Sequence, residues 1–130
     1  MRDALIYETT VDVRYADLDT FGHVNNAASL TLCEEARLDY ARDVLGTPDP
    51  AFVVAHLDVD YVRPITAPGP VTVGVGATAV GDSSFTVASD VVRDGETAVT
   101  AETVLVAVDE EGAPRGVPED WRAAMTEGGT

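Results

Sequence analysis

The sequence predicts an α+β protein with one long helix and about five strands, and three observations indicate this class. Apolar residues recur at helical spacing over 26–45, and Gly46 and Pro48 then favour a helix end. Five other stretches alternate apolar and polar residues with a period of two. Glycine, proline and Asp-Gly turns separate those stretches. The 130 residues suit one domain, 1–130.

The first strand and the helix are joined by a short loop. The strand is predicted over 6–15, and Gly22 is the flexible point of the loop that follows. Asn25 or Asn26 is a suitable N-cap, because a short amide side chain can accept hydrogen bonds from the first free N–H groups. The apolar face of the helix is predicted to contain Leu30, Cys33, Leu38, Tyr40, Ala41, Val44 and Leu45.

Four more strands are predicted after the helix, over 51–63, 71–78, 85–91 and 97–108, and a short helix over 118–125. The first three of these strands are joined by short turns, so we expect them to form an antiparallel meander. One helix cannot cover both faces of a five-stranded sheet. We therefore also expect a homodimer or homotetramer.

Composition limits the partners and the location. The chain has 23 acidic residues, no lysine and a net charge of −15, and such a surface repels nucleic acid. No apolar run approaches the roughly 18 residues that span a bilayer, and the first residues lack the apolar core of a signal peptide. We expect no membrane association and a cytoplasmic location. The acidic surface resembles that of proteins from salt-loving organisms; a merely acidic protein is the alternative.

The stretch from Tyr15 to Asn26 concentrates groups that can carry out chemistry. It places two carboxylates, a glycine, a histidine and two amides directly before the helix. Unpaired N–H groups and a partial positive charge make a helix start suitable for a developing oxyanion. A carboxylate just upstream can act as base or nucleophile. Our hypothesis is that this stretch forms the active site of a thioester hydrolase.

Residues 13–26 read VRYADLDTFGHVNN, and this string resembles the motif of the 4-hydroxybenzoyl-CoA thioesterase-like acyl-CoA thioesterases. These are hotdog-fold proteins, in which a curved antiparallel sheet wraps around one long central helix. Segments 34–37, 57–64, 81–85 and 118–122 are also similar to the family, so the resemblance covers nearly the whole chain. It implies a single hotdog thioesterase domain that hydrolyses an acyl- or aroyl-CoA to free acid and CoA.

The resemblance also implies roles for individual residues. Asp19 corresponds to the family's catalytic carboxylate, and both a nucleophilic and a general-base role stay open. The thioester oxygen would be held by backbone N–H groups at about Asn26, with Gly22 letting the chain approach closely. Asp17 is expected to accept hydrogen bonds that hold the loop. His23 either has a role in the site, tuning Asp19 or lining the site, or packs within the loop.

The resemblance leaves several positions with two interpretations. Asn25 and Asn26 either cap the helix or position substrate and water. Arg63 is the best placed candidate to bind CoA phosphates, and a solvated strand-end arginine is the alternative. Small side chains at Ser29 and Cys33, where family members often carry aromatic residues, imply a roomier or reshaped acyl pocket.

Three more side chains have favoured structural roles. Glu34 and Arg37 are three residues apart, and a mutually satisfied pair at the edge of the apolar face or in a subunit contact is favoured over a catalytic role. Cys33 is expected to be a buried structural thiol. No metal site and no cofactor are expected, because His23 and His56 are the only histidines and no cysteine cluster accompanies them.

Two alternative functions remain. One is a non-catalytic hotdog protein that binds acyl thioesters. The other is a hotdog dehydratase, although the Asp19 motif does not look like the histidine arrangement of those enzymes. The residues do not distinguish CoA from an acyl carrier protein, and they do not define the length or type of the acyl group.

Overall fold

The structure is a computed structural model that describes residue 5 and residues 7–47 and 51–126. Ile6 and Pro48, at which a strand start and a helix stop are predicted, lie outside the described residues. The elements are β1 (Tyr7–Val13), a 3₁₀ turn (Tyr15–Asp17), α1 (Asn26–Asp43), β2 (Phe52–Tyr61), β3 (Gly69–Val80), β4 (Ser84–Arg93), β5 (Glu96–Ala107) and α2 (Glu119–Thr126). The predicted α+β class is confirmed.

The five strands form one antiparallel sheet in the order β1-β3-β4-β5-β2. β3, β4 and β5 are neighbours along the chain and in the sheet. The turn between β4 and β5 contains Asp94 and Gly95, and both have positive φ, 55° and 77°. Two residues of this conformation match the twist of the flanking strands, which is why an Asp-Gly pair favours this hairpin.

The predicted meander of β2, β3 and β4 is wrong, because β2 pairs with β5 and forms the opposite edge of the sheet. The connection from β2 to β3 therefore crosses β5 and β4. Along it the carbonyl of Ile65 accepts a hydrogen bond from the N–H of Val24 at 2.8 Å, just before α1. Pro64 and Pro68 have no N–H to donate to a hairpin ladder, so this segment is better suited to crossing than to a tight turn.

α1 packs mainly on β1, β3 and β4. Its buried residues are Ser29, Leu32, Cys33, Ala36, Arg37, Tyr40 and Ala41. Of the predicted apolar face, Cys33, Tyr40, Ala41 and Leu45 are buried, whereas Leu30, Leu38 and Val44 are only half-buried. The observed stripe includes a serine and an arginine, which a hydropathy pattern assigns to solvent. Beyond the helix, Gly46 is left-handed (φ 74°) and the N–H of Thr47 donates to the carbonyl of Ala41 at 3.0 Å, as expected for a helix-ending glycine.

α2 closes one end of the core through Trp121. The indole contacts the rings of Phe52 and Phe85 edge-on, with centroids 6.1 Å away in both cases. This packing fixes the start of β2 against β4. No helix in the described part of the chain is both long and apolar enough to cross a bilayer.

Candidate active site

The loop between β1 and α1 is held closed by its own main chain. The N–H of Asn25 donates to the carbonyl of Asp17 at 2.8 Å. Within the loop, the N–H of Asp19 donates to the carbonyl of His23 at 2.7 Å, and the N–H of Gly22 donates back to the carbonyl of Asp19 at 3.0 Å. Gly22 has a φ of 76°, a conformation that side chains other than glycine rarely adopt. Asp19 and His23 therefore share one tight turn.

Asp17 is the buried aspartate of the pair and holds the loop in place. Its Oδ2 accepts the backbone N–H of Arg14 at 2.8 Å, and its Oδ1 accepts Nη2 of Arg14 at 3.0 Å. The hydrogen bond from the Arg14 side chain is the main reason why the pKa of Asp17 lies below its ordinary value. Asp17 does not line the cleft described below.

Asp19 is exposed, and its two carboxylate oxygens differ. Oδ1 accepts the backbone N–H groups of Phe21 at 2.9 Å and His23 at 3.2 Å. Oδ2 receives no hydrogen bond from any residue that the structure describes. The turn thus fixes the orientation of the carboxylate through one oxygen and leaves the other available to water or a ligand.

The start of α1 offers a free donor beside this carboxylate. Asn25 is the N-cap, and its side chain accepts the N–H of Ala27 at 2.8 Å. The N–H of Asn26, the first helical residue, meets no acceptor among residues 7–47 and 51–126. An unpaired N–H at a helix start carries part of the positive end of the helix dipole, so it can hold an anionic oxygen.

These groups meet in a cleft of about 350 Å³. It is lined by Asp19, His23, Val24, Asn26, Ser29, Tyr61, Val62, Arg63, Pro64, Ile65 and Val99. Of the site residues predicted from the sequence, the cleft contains Asp19, His23, Asn26 and Arg63. Gly22 and Asn25 do not line it; they shape the turn and cap the helix beside it.

Sequence reasoning missed Tyr61, which lines the cleft from the end of β2. Its hydroxyl donates to the carbonyl of Asn26 at 3.2 Å and so links the edge strand to the helix start. The signal available in the sequence was an aromatic residue near the end of a predicted strand. The pattern could not show which element it faces, because alternation does not identify the neighbouring element.

Arg63 lies at the rim of the cleft with its side chain mostly exposed. Its Nε is 3.0 Å from Oε2 of Glu96, whose side chain is also mostly exposed. An ion pair of this kind contributes little to stability, about 0–1 kcal/mol, so Arg63 can exchange partners. Arg93, close by, donates instead to the carbonyls of Ala67, Gly69 and Pro70 and holds the turn before β3.

Two other side chains that could be reactive, Cys33 and His56, lie outside the cleft. Cys33 is buried, and burial raises the pKa of its thiol to about 11, which disfavours a nucleophilic thiolate. His56 lies on the exposed β2, with Nε2 at 3.4 Å from Oδ2 of Asp58. Within the described ranges, no group of three histidine, cysteine or acidic side chains is arranged to hold a metal ion.

Comparison with known proteins gives consistent matches. The sequence profile of the Thioesterase superfamily matches residues 21–100, more than half of the chain. The uncharacterized protein YsmA of Bacillus subtilis (strain 168) is 31% identical over 105 residues, which are 78% of this chain and 71% of that protein.

Solved structures agree with the sequence matches. A thioesterase from Thermus thermophilus, complexed with coenzyme A and Zn, is 37% identical with a TM-score of 0.87, over 98% of this chain and 96% of that chain. A predicted thioesterase from Bacillus stearothermophilus is 27% identical with a TM-score of 0.84, over 93% and 94%. The five-stranded curved sheet with its long helix is the hotdog fold. The chain belongs to the thioesterase superfamily.

Proposed function

We propose that this protein is an acyl-CoA thioesterase that hydrolyses an acyl- or aroyl-CoA to the free acid and CoA. One observation carries the proposal: Asp19 lines the same cleft as Asn26, and among the described residues one Asp19 oxygen is anchored and the other is free, while the Asn26 N–H meets no acceptor. A thioester carbonyl needs an attacking oxygen on one side and a donor for its developing negative charge on the other. The Thermus relative, complexed with coenzyme A, supports CoA as the carrier.

Asp19 takes part in the reaction by one of two routes. As a nucleophile, its free oxygen attacks the thioester carbon, the CoA thiolate leaves and takes up a proton, and water then hydrolyses the mixed anhydride. As a general base, it takes a proton from a water that attacks the same carbon; the carbon–sulfur bond then breaks, and the CoA thiolate leaves and takes up that proton. Both routes need an ionised carboxylate, and both place negative charge on the carbonyl oxygen. A preorganised donor such as the Asn26 N–H can stabilise that charge by about 3–4 kcal/mol.

The remaining residues of the cleft have supporting roles. Gly22 permits the turn that directs Asp19, and Asn25 caps the helix through the N–H of Ala27, which leaves the Asn26 N–H uncapped. His23 lines the cleft and either tunes Asp19 or contacts the substrate. Ser29 leaves room for the acyl group. No cofactor is required for this chemistry.

Arg63 is the residue we propose for the phosphate groups of CoA. It lies at the rim, where a large polar carrier would stay outside the cleft, and its pairing with Glu96 is easily replaced. A guanidinium binds phosphate through charge-assisted hydrogen bonds. The strongly negative surface makes this cation more important, since the carrier is also an anion.

Replacement of Asp19 tests the function. We expect D19N to lower kcat/KM by about 10²–10⁴-fold, because asparagine keeps the shape but supplies neither a nucleophile nor a base. The assay measures thiol release from a panel of acyl-CoA substrates. D12N is the matched control, because Asp12 is an exposed aspartate on β1 away from the cleft. Circular dichroism establishes that both variants are folded.

The same assay separates the alternatives. Full activity in D19N would overturn the assigned roles. Binding of acyl-CoA by the wild-type protein without any thiol release would identify a non-catalytic binding protein. Conversion of a hydroxyacyl-CoA without thiol release would identify a dehydratase.

We also infer that the protein functions as a homo-oligomer, a homodimer or a homotetramer. β2 is an edge strand, and it exposes the large apolar side chains of Val53, Val54, Leu57 and Tyr61. An exposed apolar edge promotes pairing with another chain. Because Tyr61 also lines the cleft, such a contact would lie next to the proposed active site.

A further inference from the structure

Arg63 belongs to two neighbouring clefts. It lines the Asp19 cleft, and it also lines a second cleft of about 280 Å³. The two clefts share Arg63, Pro64 and Ile65 as a common wall. A ligand that has its thioester beside Asp19 can therefore extend past Arg63 into the second cleft. The other charged residues that line the second cleft are Arg93, Asp94 and Glu96.

The backbone brings Arg63 and Glu96 together. The N–H groups of Val62 and Arg63 both donate to the carbonyl of Ala98, at 2.8 and 3.1 Å. These two hydrogen bonds fasten the segment that follows β2 to the start of β5. Arg63 is thereby held next to Glu96, which is the first residue of β5.

Glu96 engages only part of the Arg63 guanidinium. Its Oε2 is 3.0 Å from Nε of Arg63, and Nη1 and Nη2 of Arg63 meet no acceptor in the part of the chain that the structure describes. Both side chains are more than half exposed. A contact of this kind is weak, whereas a phosphate can accept two parallel hydrogen bonds from one guanidinium. The geometry therefore allows a phosphate to replace Glu96 on Arg63.

Arg93, the other arginine of the second cleft, is committed to the main chain. Its Nε, Nη1 and Nη2 donate to three carbonyls of the turn before β3, at 3.0–3.1 Å. Arg93 therefore contributes positive charge to the second cleft but offers few free donors. Arg63 is the arginine whose donors a phosphate can take over, and Glu96 is the carboxylate that must give way.

We propose that Glu96 competes with a phosphate group of CoA for Arg63 and so sets how tightly the carrier is held. When CoA binds, the guanidinium exchanges the carboxylate for the phosphate; when CoA leaves, Glu96 takes the guanidinium back. The carboxylate also repels the phosphate, because both are negative. Glu96 thereby favours the release of CoA, a product of the proposed reaction. The inference rests on the proposed function for its choice of carrier.

Neutralisation of Glu96 is the first test. We expect E96Q to lower the Kd for CoA by about threefold or more, because glutamine removes the competing charge and keeps the size of the side chain. Isothermal titration calorimetry of the full chain with CoA alone measures the Kd. Glu96 is exposed, so we expect E96Q to stay folded, which circular dichroism checks. A folded E96Q with the same Kd as wild type would overturn the proposal.

D94N is the matched control for this variant. It removes the same charge two residues away, and asparagine suits the positive φ of 55° at this position of the turn. Asp94 borders the second cleft, whereas the carboxylate paired with Arg63 is that of Glu96. We expect D94N to lower the Kd for CoA by less than about twofold, since an exposed charge without that contact has a small effect. An equal fall in D94N and E96Q would overturn the competition for Arg63.

A substrate without phosphate is the second test. The N-acetylcysteamine thioester of the same acid has the reacting bond but no nucleotide. We expect E96Q to lower the KM for the acyl-CoA by about threefold or more, and to change the KM for the short thioester by less than about twofold. R63Q should raise the KM for the acyl-CoA and also spare the short thioester. An equal fall of both KM values in E96Q would overturn the proposal, because Glu96 would then act at the thioester end.

The failure of this inference and the failure of the proposed function give different results. If the wild-type protein releases no thiol but E96Q binds CoA more tightly than wild type, the proposed hydrolysis is wrong and the competition stands. If thiol is released but the Kd for CoA is the same in wild type and E96Q, the competition is wrong and the hydrolysis stands.

Discussion

Asp17 and Asp19 lie two residues apart, yet their carboxylates have different surroundings. Asp17 is buried against Arg14, while Asp19 is exposed and anchored through one oxygen only. The sequence motif predicted that one aspartate would hold the loop and the other would do chemistry. It could not show which oxygen stays free, because that depends on the N–H groups of Phe21 and His23, whose directions are set by the turn.

The lowered pKa of Asp17 leads to a prediction about pH. A carboxyl with a folded-state pKa below its unfolded value stabilises the fold above the unfolded pKa, and this contribution is lost as pH falls through the folded pKa. We expect D17N to lower the free energy of unfolding by about 1 kcal/mol at neutral pH, through the lost charge-assisted contact. The difference from wild type should begin to narrow as pH falls below the ordinary aspartate pKa of about 3.9, where the unfolded chain takes up its proton, and it should be lost once the folded carboxyl is protonated as well.

Urea unfolding at both pH values measures this effect. D12N serves as the control, since Asp12 is exposed on β1 and its loss should matter little at either pH. A destabilisation by D17N that is equally large at neutral and acidic pH would show that the charge of Asp17 does not stabilise the loop.

At the scale of the elements, local patterns predicted what each segment becomes, but not which segments meet. The period of two identified β2, and Asp-Gly identified the hairpin at Asp94. The pairing of β2 with β5 could not be predicted, because β3 and β4 lie between these two strands along the chain and local patterns do not report distant partners. The helical spacing placed Arg37 at the edge of the apolar face, and the structure buries it there, but its Nε has no hydrogen-bond partner among the described residues, which the spacing could not show.

The helix start gives a second prediction. We expect N25A to lower the stability by about 1 kcal/mol, because it removes the cap on the N–H of Ala27. N26A is the matched control; the Asn26 side chain is exposed, and we expect a change of about 0.5 kcal/mol or less. Thermal unfolding compares the two. Equal losses in both variants would show that Asn25 is not the effective cap.

The whole molecule is dominated by its negative charge. With 23 acidic residues against eight arginines, most carboxylates have no cation of their own. Some arginines are also committed locally, as Arg14 is to Asp17 and Arg93 to three carbonyls. Repulsion among the remaining acids opposes the compact state. Dissolved salt weakens this repulsion, and at 0.1 M it largely screens exposed charges that are more than about 10 Å apart.

We therefore expect the melting temperature and the thioesterase activity to rise as potassium chloride is increased toward about 1 M. Calorimetry and thiol release, measured over the same salt series, check this. If the protein is most stable in dilute buffer, the hypothesis of a salt-adapted surface is wrong, and the chain is acidic without being adapted to salt.

The proposed chemistry and the opposite wall of the cleft come from separate parts of the chain. Asp19, the Asn26 N–H and the bonds that orient them belong to one short contiguous segment, whereas the facing wall comes from Tyr61 to Ile65. Apart from Tyr61, whose hydroxyl donates to the carbonyl of Asn26, the side chains of the facing wall can therefore change during evolution without disturbing the segment proposed for the hydrolysis. Descendants of one ancestor could in this way diverge in the acids they release while they keep the same reaction.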